Sequence, residues 1–194
     1  MSYQHTNRRG DVYYIQAKER AGKISYSAAR KPTGKLVDQL PEGYEIYELP
    51  ENAQVFVRKI KPTNILPIER QLLESSIRNL AKLEHFIVDM EADSLTVYVT
   101  DAEPDASLSI LRSMAPMTAD QARSMREFMV SRAKYDKMMR FTLIDADKRQ
   151  FNVERWCFSG SIDNWYFLEG GAPLTTLAEK YVRHLGQESF FELR

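Results

Sequence analysis

Short runs of alternating apolar and polar residues, separated by turn-forming residues, recur along most of the chain. This period of two is typical of β-strands with one buried face. Paired runs predict four β-hairpins, formed by residues 11–17 with 24–29, 44–49 with 55–60, 86–89 with 95–100, and 141–144 with 151–158. Further strands are predicted over residues 165–168 and 189–193, and the stretch 101–109, rich in Ala, Asp, Pro and Ser, is predicted to be a loop.

Three other segments carry apolar residues at helical spacing. Pro67 opens the first, whose apolar side is formed by Ile68, Leu72, Leu73, Ile77, Leu80 and Leu83. Thr118 is a predicted N-cap for a second, long helix that continues to about Met139. Pro173 opens a third helix over residues 174–185, because proline is favoured in the first turn of a helix.

These elements predict the fold class. Hairpins outnumber strand–helix–strand crossovers, which favours an α+β fold with a largely antiparallel sheet built from several β-hairpins and about three helices packed on it. A chain of 194 residues that is 43% hydrophobic can form a core without a disulfide or a metal ion. We expect a single domain over residues 1–194, while the sequence leaves open whether residues 1–62 fold as a separate unit.

The cellular compartment is predicted from the absence of cysteine pairs and of long apolar stretches in the sequence. Cys157 is the single cysteine, so an intrachain disulfide and a multi-cysteine zinc site are excluded. No stretch approaches the roughly 20 apolar residues that a membrane span requires. We therefore expect a cytoplasmic protein without a membrane partner. Between Trp156 and Phe158, Cys157 is expected to be buried if the sheet is covered on both sides.

Charge is balanced over the chain but unevenly distributed. The sequence has 27 basic and 27 acidic side chains. Residues 1–36 contain eight basic and two acidic side chains, whereas residues 37–110 contain six basic and fourteen acidic ones. The basic segment is either a binding face or is neutralised in the fold by the acidic one.

The first predicted hairpin combines basic residues with tyrosines. Cations that contact phosphates and aromatic rings that stack on bases are how proteins hold single strands without reading their sequence. The long helix adds a basic stripe of Arg123, Arg126, Lys134 and Lys137, with Arg132 expected to pair with Asp136. The candidate nucleic-acid-binding residues are Arg20, Lys23, Tyr26, Arg30, Lys31, Arg123 and Arg126. Alternatively, the tyrosines pack one sheet face and the cations are merely solvated.

Acidic residues cluster at two predicted hairpins. Carboxylates from adjacent hairpins could hold Mg²⁺ for phosphodiester hydrolysis, and the candidates are Asp89, Glu91, Asp93, Asp145, Asp147 and Glu154. Turns also recruit aspartate, because its side chain hydrogen-bonds to the local backbone. We favour that explanation and expect no metal site, no catalytic residue and no cofactor. The three histidines are far apart in sequence and show no metal-ligand spacing.

The sequence thus favours a non-enzymatic binding or accessory protein that binds nucleic acid, weakly and electrostatically, through the basic N-terminal hairpin. Two alternatives remain open. One is a metal-dependent phosphodiesterase or other hydrolase that uses the hairpin carboxylates. The other is a protein-interaction module whose basic and acidic sectors pair in a homo-oligomer.

Overall fold

The computed structural model describes residues 2–100, 104–159 and 162–194. The strands are β1 (Gln4–Thr6), β2 (Val12–Arg20), β3 (Lys23–Ala29), β4 (Lys35–Leu36), β5 (Tyr44–Glu48), β6 (Val55–Lys59), β7 (Phe86–Met90), β8 (Ser94–Thr100), β9 (Tyr135–Asp145), β10 (Gln150–Ser159) and β11 (Ile162–Pro173). The helices are α1 (Pro67–Ser76), α2 (Pro104–Met114), α3 (Ala119–Arg132) and α4 (Leu174–Tyr181). All strand pairs are antiparallel, so the predicted α+β class is confirmed. In the described part of the chain no helix is long and apolar enough to cross a membrane.

Contacts between residues divide the chain into two compact units. Unit 1 contains Met1–Ile60 and Ala102–Lys134, and unit 2 contains Lys61–Asp101 and Tyr135–Arg194. Unit 1 therefore holds β1 to β6 with α2 and α3, and unit 2 holds α1, β7 to β11 and α4. Each unit is assembled from two separate stretches of sequence, because residues 102–134, between β8 and β9 in the chain, belong to unit 1.

In unit 1 the central strand is β2, which pairs with β1, β3 and β4. The hairpin from β2 to β3 turns at Ala21 and Gly22, both with positive φ (50° and 72°), as the tightest hairpin turns require. Ile15 is fully buried and Tyr13 is 6% exposed, so one face of this sheet is covered. β5 and β6 form a separate two-stranded ribbon. The first two predicted hairpins are therefore confirmed.

Buried polar contacts anchor the N-terminal segment of unit 1. The Asn7 amide donates to the carbonyl of Ala53 at 2.8 Å, and its oxygen accepts from the backbone N–H of Asp11 at 2.8 Å. The guanidinium of Arg8 donates to Glu48 Oε1 at 2.8 Å. A buried amide with both ends satisfied favours one arrangement of the chain over others. Arg8, the first basic residue of the chain, thus acts as a structural residue.

Unit 2 is a five-stranded meander in the order β11-β10-β9-β8-β7. Alternate residues of the strands enter one core with α1, α4 and the C-terminal 3₁₀ turns. Its fully buried large side chains are Leu73, Ile77, Leu95, Val97, Met139, Phe141, Phe151, Val153, Leu177, Leu185 and Phe190. The third and fourth predicted hairpins are confirmed as β7–β8 and β9–β10, and the predicted strand over 165–168 lies within β11.

The predicted helix boundaries were wrong in unit 1. Thr118 does cap α3, because its hydroxyl accepts from the backbone N–H of Gln121 at 3.2 Å. The helix nevertheless ends at Arg132, and β9 begins at Tyr135, so Lys134 and Lys137 extend no basic stripe on α3. Met139 and Phe141 are fully buried in the sheet core, and this burial outweighs the helical propensity of the segment.

Three further expectations are corrected. Of the predicted loop 101–109, residues 101–103 lie outside the described residues, and the rest belongs to α2, which begins at Pro104. The predicted last strand is a 3₁₀ turn over Glu188–Glu192, with Phe190 fully buried. Arg132 lies 3.9 Å from Asp11 and is half-exposed, so its partner is not Asp136. Asp136 lies on β9 instead.

An ion pair joins α1 to the turn between β9 and β10. Glu69 is 8% exposed, and its Oε2 accepts from the backbone N–H of Leu66 at 2.8 Å, which closes the first turn of the helix. Arg149 donates to Glu69 Oε1 at 2.9 Å and to the carbonyl of Asn64 at 3.1 Å. Arg149 adopts a positive φ of 51°, and these bonds offset the cost of that conformation.

We predict that Arg149→Ala lowers the free energy of unfolding of unit 2 by about 2–3 kcal/mol, because it leaves the Glu69 carboxylate buried without its cation. Lys148→Ala is the matched control: Lys148 lies in the same turn but is mostly exposed, and its loss should cost under about 0.5 kcal/mol. The measurement is urea unfolding followed by tryptophan fluorescence, since both tryptophans lie in unit 2. Equal losses for the two variants would contradict this role of the ion pair.

Candidate functional site

The strands of unit 2 present a second face, opposite the helices. On β9 and β10 the core takes Met139, Phe141, Phe151 and Val153, so the residues between them point the other way. We call this the outer face. Cross-strand partners lie on the same side of a sheet, and the register places Arg140 opposite Glu154 and Trp156 opposite Trp165. On β9 to β11 the outer face carries Lys137, Arg140, Glu154, Trp156, Trp165 and Phe167.

Two cations and two indole rings are in direct contact on this face. The rings of Trp156 and Trp165 have centroids 5.1 Å apart and are inclined at 78°, an edge-to-face arrangement. Lys137 Nζ lies 3.7 Å from the ring centroid of Trp156, and the guanidinium carbon of Arg140 lies 4.4 Å from that of Trp165. Both distances are within the range of cation–π attraction. We call these four residues the aromatic–cation surface.

The two cations differ in their other partners. Arg140 donates from Nε to Glu154 Oε2 at 2.7 Å, and its Nη2 lies at the same distance from that oxygen. This pairing holds the guanidinium plane in place and partly compensates its charge. Lys137 takes part in none of the ion pairs among the described residues, and its observed contact is with the Trp156 ring. The aromatic–cation surface therefore keeps a net positive charge even when Glu154 is counted.

This part of the sheet is open. Trp156 and Trp165 are half-buried, and Phe167 beside them is 55% exposed, whereas Thr96 and Tyr98 on β8 are buried. The pairing of β9 with β10 ends at Arg155, so beyond that residue β10 pairs with β11 alone. The tryptophans thus lie where the sheet narrows to a two-stranded ribbon and their side chains can be reached from solvent.

The opposite side of the same ribbon is also aromatic. Arg155 donates to the carbonyl of Leu193 at 2.8 Å, and its guanidinium lies 5.3 Å from the ring centroid of Tyr166. An open cavity of about 690 Å³ at this ribbon is lined by residues of both faces, among them Arg155, Cys157, Phe158, Trp165 and Tyr166. Cys157 is half-buried.

The first hairpin places only some of the sequence-predicted residues together. Arg20 pairs with Lys23 at the exposed tip of β2 and β3, and both lie on the same face as Lys18. Tyr26 pairs with Ala17 and therefore lies on the opposite face. There its ring meets that of Tyr44 with centroids 4.8 Å apart. The hairpin thus separates Tyr26 from the basic residues, whereas Tyr14 shares the face of Lys18 and Arg20.

The remaining predicted cations lie close to acidic groups. Arg30 lies 2.9 Å from Asp11, Arg123 lies 3.8 Å from Asp120, and Arg126 donates to Asp105 at 2.7 Å and 3.1 Å. Lys31 is exposed, and its carbonyl accepts from Gln16 at 2.8 Å. The hydrogen bond to Tyr13, followed by the charges of Tyr13 and Asp11, raises the pKa of Arg30. Part of the basic N-terminal segment is therefore neutralised within the fold.

The hairpin carboxylates have structural roles where their contacts are known. Asp145 accepts from the backbone N–H of Lys148 at 2.8 Å, the turn role expected of it. Glu154 holds Arg140. Asp89 pairs with Thr96 and so lies on the outer face at β7.

We predict that Trp165→Ala lowers the free energy of unfolding by about 1 kcal/mol, because it removes one edge-to-face contact and little core packing. Phe151→Ala, on the same sheet but in the core, should cost about 3–5 kcal/mol. Urea unfolding by far-ultraviolet circular dichroism compares the two. Losses of similar size would show that Trp165 is a core residue. The aromatic–cation surface would then not be available to bind a ligand.

No protein-family model, curated protein sequence or solved structure matches this chain. The chemistry of the aromatic–cation surface itself is therefore the basis for a functional proposal. That surface combines two half-exposed indole rings, one lysine with no described acidic partner and one arginine held in a fixed orientation. These groups suit a ligand that is both flat and negatively charged.

Proposed function

We propose that this protein binds single-stranded nucleic acid through the aromatic–cation surface. The observation that carries the proposal is the contact of two cations with two indole rings on an open sheet face, at 3.7 Å and 4.4 Å. In this proposal bases stack on the rings of Trp156 and Trp165, and the phosphates between them contact Lys137 and Arg140. Base stacking and phosphate contacts together account for most binding of single strands.

The geometry supports single strands as the proposed ligand class. A sheet face offers a flat platform, and bases can lie on it only when they are not stacked in a duplex. Lys137 can donate to a phosphate without breaking an ion pair among the described residues. Arg140 can use the nitrogen that Glu154 does not engage. None of these groups reads the edge of a particular base, so the proposed binding is largely independent of sequence.

The first hairpin supplies a second proposed contact in unit 1. Lys18, Arg20 and Lys23 share one face of β2 and β3, and Arg20 and Lys23 are exposed. No acidic side chain of the described residues forms an ion pair with these three. We infer that this basic face contributes phosphate contacts, and that Tyr26, on the other side of the hairpin, takes no part in them.

We predict that the protein binds a short unstructured oligonucleotide more tightly than a duplex of the same sequence, with affinity that falls as salt rises. Trp165→Ala should weaken binding about tenfold with little change in the salt slope, since one stacked base contributes about 1–3 kcal/mol. Lys137→Gln should reduce the slope of log affinity against log salt concentration by the amount that corresponds to about one phosphate contact. Fluorescence anisotropy of a labelled oligonucleotide measures both quantities.

Ile144→Ala is the matched control, because Ile144 is a 51% exposed apolar residue on β9 with no described ring or cation contact. It should bind like the unmodified protein. The proposal would be contradicted if neither Trp165→Ala nor Lys137→Gln weakened binding. It would also be contradicted if the protein preferred the duplex. Cleavage of the oligonucleotide in the presence of Mg²⁺ would contradict it too and favour the hydrolase alternative.

A separate prediction concerns the hairpin. Replacing Arg20 and Lys23 by glutamate should weaken binding to all oligonucleotides alike, by about tenfold at low salt, because phosphate contacts carry no base information. Glu19→Lys, at the same hairpin tip, should strengthen binding slightly, because it makes the electrostatic potential at the tip more positive. The anisotropy series in two base compositions measures this. A change confined to one composition would contradict a purely electrostatic contact.

A further inference from the structure

A polar pocket in unit 1 plays no part in the binding proposed above. It has a volume of about 430 Å³, and its polar walls are provided by Arg9, Tyr13, Arg30, Asn52 and Gln54. Small apolar residues of β3 and β6 complete it. Two guanidinium groups in one pocket repel each other unless an anion lies between them.

Arg9 is the residue that most needs a ligand. Its Nε is buried and has no hydrogen-bond partner among the described residues. Arg9 also enters none of the ion pairs of that part of the chain. Its backbone is fixed, because its N–H donates to the buried Asn7 at 3.0 Å. A buried charged donor without an acceptor is costly, so such a group in a folded protein calls for an explanation.

Arg30 lies at the more exposed part of the pocket and is already oriented. One terminal nitrogen donates to Asp11 at 2.9 Å, and its Nε donates to the Tyr13 hydroxyl at 3.5 Å. These are its hydrogen-bond partners among the described residues, so the second terminal nitrogen remains available to a ligand. An arginine held in this way loses little conformational freedom when it binds an anion.

The other polar groups can donate as well. The Asn52 oxygen accepts from the backbone N–H of Gln54 at 2.9 Å, which leaves the NH₂ group of the Asn52 amide for another partner. The Gln54 amide is a second neutral donor in the wall. Two planar cations with amide donors suit an anion with several oxygens. The volume exceeds that of a small anion, so the apolar part of the wall can accommodate an organic group attached to it.

We propose that this pocket binds a phosphate monoester, with the phosphate between Arg9 and Arg30 and its organic group against the apolar wall. A doubly charged phosphate with three terminal oxygens can accept from both guanidinium groups, which a singly charged carboxylate does less well. The pocket shares no residue with the aromatic–cation surface, and the inference does not depend on the proposed binding of nucleic acid.

The test uses phenyl phosphate, inorganic phosphate and benzoate as probes in isothermal titration calorimetry with the full chain. We expect phenyl phosphate to bind at one site per chain and benzoate to bind at least about tenfold more weakly. Arg9→Gln and Arg30→Gln should each weaken phenyl phosphate binding about tenfold or more. Lys35→Gln is the matched control, because it removes the same charge from an exposed position of the same sheet, outside the pocket, and it should leave binding unchanged.

Gln54→Met provides a variant whose folding is not at risk, since Gln54 is exposed and of similar size to methionine. It should weaken binding without lowering the melting temperature. Trp165→Ala should leave phenyl phosphate binding intact, so failure of this inference and failure of nucleic-acid binding are distinguishable. Equal binding of benzoate, an equal effect of Lys35→Gln, or no saturable binding of phenyl phosphate would each overturn the proposal.

Discussion

Burial of alternate residues of β9 and β10 against the helices of unit 2 is the constraint on which the proposed nucleic-acid site depends. Met139, Phe141, Phe151 and Val153 are all fully buried. Because side chains alternate between the two faces of a strand, a shift of one residue would carry these four groups to the other side. The core therefore fixes the positions of residues that it does not contain, and the aromatic–cation surface is the reverse side of the same pattern.

Acidic partners decide which cations of this protein can act on a ligand. Glu154 orients Arg140 on the sheet, and Asp11 does the same for Arg30 in unit 1. A guanidinium has five N–H donors, so one carboxylate restrains it without using it up. A lysine has a single nitrogen, and Lys137 binds an aromatic ring instead. The number of basic residues in a segment is thus a poor guide to the electrostatic potential around it, because some cations have acidic partners and others do not.

The hairpins could be predicted from sequence because alternation and turn chemistry agree along them. The end of α3 could not, since residues 133–139 also fit a helical wheel, and only burial of Met139 in a sheet decides between the two states. The same error concealed Lys137 as a site residue. Trp156 lies four residues before Gly160 and Trp165 five residues after it, a spacing that would allow a hairpin to pair them. Contact between Arg140 and Trp165 needs three strands in register, and no local pattern contains that information.

The separation of β8 from β9 along the chain bears on how the protein is made. These strands are neighbours in the sheet, but the residues between them belong to unit 1. Closing such a long connection costs more chain entropy than closing a tight hairpin, so pairing of β9 with β10 is favoured before β8 joins them. Leu185 and Phe190, close to the C-terminus, are fully buried in the same core. During synthesis, therefore, α1, β7 and β8 leave the ribosome with their apolar faces uncovered and depend on the last part of the chain to complete their fold.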